Sequence, residues 1–86
     1  MGQQAWFHAP HGGADFLAMR KNRNGSTEIV YDDGVACRII WRVEQRGVSD
    51  ECISDALRAS VAALRVVPTL YDELKKRSIV VERLGG

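Results

Sequence analysis

Cysteine is scarce in this sequence. Cys37 and Cys52 are the only two in 86 residues, too few for the multi-bridge framework of a small secreted scaffold, and they favour a reducing compartment. An excess of either charge is missing too. Twelve Lys and Arg face eleven Asp and Glu, and a net charge of +1 gives no field to draw in nucleic acid or an anionic membrane. Nothing approaches the ~20 consecutive apolar residues that span a bilayer. The opening MGQQAWFHAPHG has neither the basic region nor the apolar run of a signal peptide, and Trp6 stands where a myristoylation signal needs Ser or Thr. A cytoplasmic chain is the expectation.

Motifs that carry chemistry are equally thin. There is no Gly-x-Ser-x-Gly and no Gly-rich phosphate loop. His8-Ala-Pro-His11, with Asp15 four residues on, has metal-ligand residue types at close spacing. Pro10 and Gly12-Gly13 mark that stretch as a loop, however, and no Glu-x-x-His or Cys-x-x-Cys pair supports an ion. Cys52 falls in the first turn of a helix, a setting in which thiols become reactive, but Asp50 and Glu51 beside it oppose a thiolate. Cys37 reads as an inert core residue on the apolar face of a strand. Asp32 and Asp33, next to Gly34, read as turn formers rather than a cation site. No catalytic residue, metal or cofactor is expected, and a small enzyme has nothing specific in its favour.

What the sequence does contain is enough apolar material to fold. Leu, Ile, Val and Phe account for 22 of the 86 residues, above the roughly 20% below which disorder sets in. The length suits one domain, residues 1–86. A chain this short buries only about 60–65% of its unfolded surface, and such domains often make up the shortfall by association.

The pattern along the chain predicts an α+β fold of order β-β-β-α-α-β. A three-stranded antiparallel meander is followed by one long helix, one short helix and a final strand, with the helices packed on one face of the sheet. The first strand covers 14–21 and the second 26–31, joined through Asn24-Gly25, where both residues tolerate positive φ. Asp33-Gly34 turns the chain again. In the third strand Val35, Cys37, Ile39, Trp41 and Val43 alternate with Ala36, Arg38, Ile40, Arg42 and Glu44, which puts the two sets on opposite faces. Residues 5–8 are a candidate edge strand, within an N-terminal arm of 13 residues.

Ser49 caps the long helix, 50–66, whose stripe of Ile53, Leu57, Val61 and Leu64 covers the third strand. Pro68 is expected to end it, and Thr69 to cap a short helix over 70–77, with Lys75, Lys76 and Arg77 in its last turn. The final strand, 79–84, is reached by a connection long enough for a crossover and is therefore able to lie parallel to its neighbour. The closing Arg83-Leu84-Gly85-Gly86 resembles the tail of ubiquitin-like carrier proteins over four residues. Three strands before the first helix depart from the two of that family's β-grasp fold, so the activity is not carried over.

The functional expectation comes from supply and demand of apolar cover. The first strand (Leu17 and Met19 against Phe16 and Ala18) and the last are apolar on both faces, yet helices are available for one face only. A second copy of the chain is the expected cover, in a symmetric dimer whose face carries Ala36, Arg38, Ile40 and Arg42. The competing expectations are an N-terminal arm folded across that face through Trp6 and Phe7, and a nucleic-acid-binding surface made of Arg20, Lys21, Arg23, Arg38 and Arg42.

Overall fold

The structure, a computed structural model, describes residues 4–8, 16–34, 37–44 and 47–85. Strands β1 (Gln4–His8), β2 (Phe16–Lys21), β3 (Thr27–Asp32) and β4 (Arg38–Val43) come first. Helices α1 (Asp50–Val61) and α2 (Val66–Lys76) follow, and β5 (Val81–Gly85) comes last. The α+β order expected from the sequence therefore holds, with β1 added as an edge strand beside β2. Strand order in the sheet is β1-β2-β3-β4-β5, and every neighbouring pair is antiparallel.

Antiparallel pairing of β5 corrects the expectation of a possible parallel strand. A single helix would carry the chain back to the start of β4 and set up a parallel neighbour. Two successive helices, α1 and α2, instead return it to the end that β4 has just left. There the Glu44 amide donates to the Val80 carbonyl at 2.9 Å, and Val43 lies opposite Val81. From that starting point the next strand runs the other way.

The first hairpin uses its glycine but not the two-residue turn. Lys21 and Thr27 are the last paired residues. The amide of Gly25 donates to Asn22 at 3.0 Å, that of Asn22 to Ser26 at 2.9 Å, and Gly25 alone takes a positive φ, 87°. This is a three-residue loop closed by a glycine bulge. Asn24 contributes through its side chain, whose Oδ1 accepts from the Ser26 amide at 3.0 Å. At the second turn Asp32 Oδ1 accepts from the Gly34 amide at 2.7 Å and Asp33 Oδ1 from the Cys37 amide at 3.0 Å. The aspartates are turn formers, as their residue type suggests. Cys37 is held in this turn and is exposed, not a core residue. The strand after it begins at Arg38.

Helix α1 starts as read: Ser49 Oγ accepts from the Cys52 amide at 3.1 Å, and Asp50 and Glu51 occupy the first turn. It stops at Val61, a turn earlier than expected. A proline inside a helix clashes with the carbonyl four residues back, here that of Leu64. The chain avoids this by breaking over 62–65 and restarting at Val66, which places Pro68 in the first turn of α2, where its missing N–H is not needed. Thr69 is consequently inside α2 rather than its cap. The N-cap is Arg65, without a side-chain cap bond. The long and short helices become near equals of 12 and 11 residues, and Leu64, assigned to the apolar stripe, is 85% exposed in the linker.

At the far end of α2 the amide of Ile79 donates to Leu74 at 2.9 Å and that of Ser78 to Lys75 at 3.0 Å, with Ser78 at φ 57°. This is a Schellman closure, sealed by the buried side chains of Leu74 and Ile79.

The core lies between the sheet and the two helices. Leu17, Ile29, Tyr31, Ile39, Trp41 and Val43 project from one face of the sheet and pack with Ile53, Ala56, Leu57, Leu70 and Leu74. Trp41 is 1% exposed. Its indole Nε1 donates to the Tyr71 hydroxyl at 3.0 Å, and the two rings meet edge to face at 5.7 Å, tying β4 to α2. No described helix is long and apolar enough to cross a membrane.

Candidate functional site

Because side chains alternate along a strand, the residues between the core positions point to the opposite side of the sheet, away from both helices. The strand register arranges them in three rows. In the middle row Ala18 lies beside Val30 and Val30 beside Ile40. Toward the first hairpin, Arg20, Glu28, Arg42 and Glu82 stand side by side on β2, β3, β4 and β5. Toward the other end, Asp32 stands beside Arg38. An apolar row thus runs between two rows of charge.

The charged row of four alternates in sign and is bonded as two pairs. Arg20 Nε donates to Glu28 Oε1 at 3.0 Å and its Nη2 to the same oxygen, while Arg42 Nη2 donates to Glu82 Oε1 at 2.5 Å. The Arg20 hydrogen bond above all, helped by Asn22 and the charge of Arg42, holds the Glu28 carboxyl below its usual range, against the upward push of burial.

In the middle row Ala18 and Val30 are buried, at 0% and 4% exposure, although no described element lies over them. The row's accessible part is Ile40, half-buried, and Leu84, 43% exposed beside a bulge of β5. Of the four residues expected on this face, Arg38, Ile40 and Arg42 are on it, and Ala36 lies outside the described residues.

Comparison with protein-family models, with curated proteins and with solved structures gave no match. Any functional reading therefore rests on the geometry.

That geometry disperses the cations of the nucleic-acid alternative. Arg20 is bonded to Glu28, Arg42 to Glu82, and Lys21 to Asp50 at 2.8 Å and to Thr27 at 2.9 Å. Arg23 and Arg38 are exposed but lie at opposite ends of the β2–β3–β4 meander. A phosphate backbone needs several cations along one track, and here three of the five are paired with carboxylates.

The remaining candidates do not converge. His8 is on β1, whereas His11 and Asp15 lie outside the described residues. Among the described residues no group of three metal-ligating side chains comes together. Cys37 and Cys52 are both free thiols, with Cys52 half-buried at the margin of the core. An open cleft of about 560 Å³ lies between the first hairpin turn and the loop after β4, bordered by Lys21, Thr27, Arg42, Glu44 and Val48. Lys21 and Arg42 there are already committed to Asp50 and Glu82. Sequence reasoning missed the acidic half of the sheet face, Glu82 and Asp32. Asp32 had been absorbed into the turn, and Glu82 could be placed only once the position of β5 was known.

Proposed function

We propose that this chain is a small binding and assembly module that pairs with a second copy of itself through the outer face of its sheet. One observation carries the reading: both helices cover the same face, and the described part of the N-terminal arm, Gln4–His8, extends the sheet as β1 instead of crossing the other face. Of its middle row the outer face leaves Ile40 and Leu84 accessible, with charge on either side, the arrangement of an interface with a small apolar centre and a polar rim.

Five strands about 4.8 Å apart and about 20 Å long give a face of roughly 480 Å² per copy. A dimer that used the whole of this face would bury at most ~1,000 Å² in all, below the ~1,200 Å² typical of stable complexes. The association is therefore weak and reversible, in the micromolar range or above.

Sedimentation velocity from about 5 to 500 µM is the direct test, with a shift from monomer to dimer as the expected result. Ile40→Asp places a carboxylate in the half-buried centre of the face and should abolish the shift while leaving the far-ultraviolet circular dichroism unchanged. A monomer at every concentration defeats the proposal.

A further inference from the structure

The rows on the outer face are related to one another in a way that fixes how two copies meet. Resting on the self-association reading, we infer that the two copies are related by a two-fold axis running parallel to the strands and passing between β3 and β4. Such an axis lays β3 of one copy over β4 of the other, and β2 over β5. In the row of four, Arg20 then faces Glu82 of the second copy and Glu28 faces its Arg42. In the opposite row Asp32 faces the second copy's Arg38, and in the centre the half-buried Ile40 lies over the position of Val30, which is already buried within its own chain. Each charge on both rims meets its opposite.

The other face-to-face arrangement has its axis across the strands. It lays β3 on β3 and β4 on β4 with the rows exchanged, so that Glu28 opposes Asp32 and Arg42 opposes Arg38. Every rim contact among these four residues is then between like charges, which is costly at an interface. Packed sheets lie about 10 Å apart, a gap that an arginine and a carboxylate reaching toward each other can close. The same alternation that satisfies the charges within one chain therefore selects one of the two symmetric pairings.

A mixing experiment tests this. Arg38→Asp leaves positions 32 and 38 both acidic, and Asp32→Arg leaves both basic. Each variant alone should associate about tenfold or more weakly than the parent, because like charges now face each other twice across the axis. An equimolar mixture of the two should recover the parent's affinity to within about threefold. No change inside a single chain is repaired by mixing, so recovery reports a contact between copies. With the axis across the strands, Arg38→Asp sets a carboxylate against Arg42 and Asp32→Arg sets a cation against Glu28, so each variant alone should associate more tightly than the parent.

If the parent dimerises but the variants do so equally well or more tightly, or if both fail and the mixture does not recover, the axis is overturned while the self-association reading stands. If the parent is a monomer throughout, both fall. Should either variant be misfolded by circular dichroism, the unmodified protein still decides: the inferred dimer weakens between 0.05 and 1 M NaCl, whereas the like-charge arrangement tightens as salt screens its repulsion.

Discussion

Ser78 closes α2 at φ 57°, the one positive φ on a residue other than glycine among those described. In that region Cβ crowds the next carbonyl, at a cost of roughly 1–2 kcal/mol that glycine avoids. The conformation persists because it lets Ile79 and Leu74 close the helix end with both side chains buried. Ser78→Gly should keep that closure and relieve the crowding, partly offset by the greater freedom of glycine in the unfolded chain. The expected net gain is about 0.5–1 kcal/mol, read as a higher urea midpoint at unchanged slope. A lower midpoint would mean that the interactions of Ser78 itself outweigh the strain. Nothing in Lys75-Lys76-Arg77-Ser78 marks this residue in advance, since the sequence signal for such an ending is glycine. Cys37 was opaque for a related reason: alternation alone extends a strand backward until a turn captures the chain, and the capture is made by the Asp33 side chain.

Across strands, the bonded row of Arg20, Glu28, Arg42 and Glu82 ties β2 to β3 and β4 to β5. Because the Glu28 carboxyl titrates lower in the folded protein than in the unfolded chain, its contribution is complete above the unfolded value and disappears as pH falls through the folded one. Glu28→Gln should therefore lower stability at pH 7 by about 0.5–1 kcal/mol, a modest figure because Arg20 is partly solvated. The gap between variant and parent should narrow as pH falls below the ordinary glutamate value and the Glu28 carboxyl takes up its proton. Urea titrations over a falling pH series check this, and a gap that does not narrow at all assigns the loss to packing instead. The elements themselves were largely legible. The alternation through Ile39, Trp41 and Val43 and the stripe through Ile53, Ala56 and Leu57 put the right residues in the core. The helix boundary was not, because a proline signals a break without saying on which side of it the break falls. Its steric conflict lies with a carbonyl four residues earlier, so the interruption precedes it.

For the molecule as a whole, association and stability are linked. If two folded copies pair and the unfolded chain does not, the melting temperature should climb by roughly 2–4 °C for each tenfold rise in protein concentration across the dimerising range. In Ile40→Asp it should be flat. Differential scanning calorimetry at three concentrations separates these outcomes, and a flat parent curve in a range where sedimentation shows dimer would mean that the unfolded chains associate as well. That both helices lie on one side of the sheet was visible in the sequence as strands apolar on both sides with helices enough for one. The charge pattern of the other side was not, because the sheet neighbour of β4 that contributes Glu82 is set by the helical pair and not by any local signal.

That pair also governs the order in which the sheet can be assembled. From β1 to β4 each strand lies against the one just before it, so the hairpins form through short loops at little entropic cost. β5 alone must find a partner across the whole stretch from Val43 to Val81. Folded as α1 and α2, that stretch becomes a short rigid bracket, and the docking of the last strand turns from a long search into a local step. The two helices are thus a splint for the rim of the sheet as well as the lid of its core.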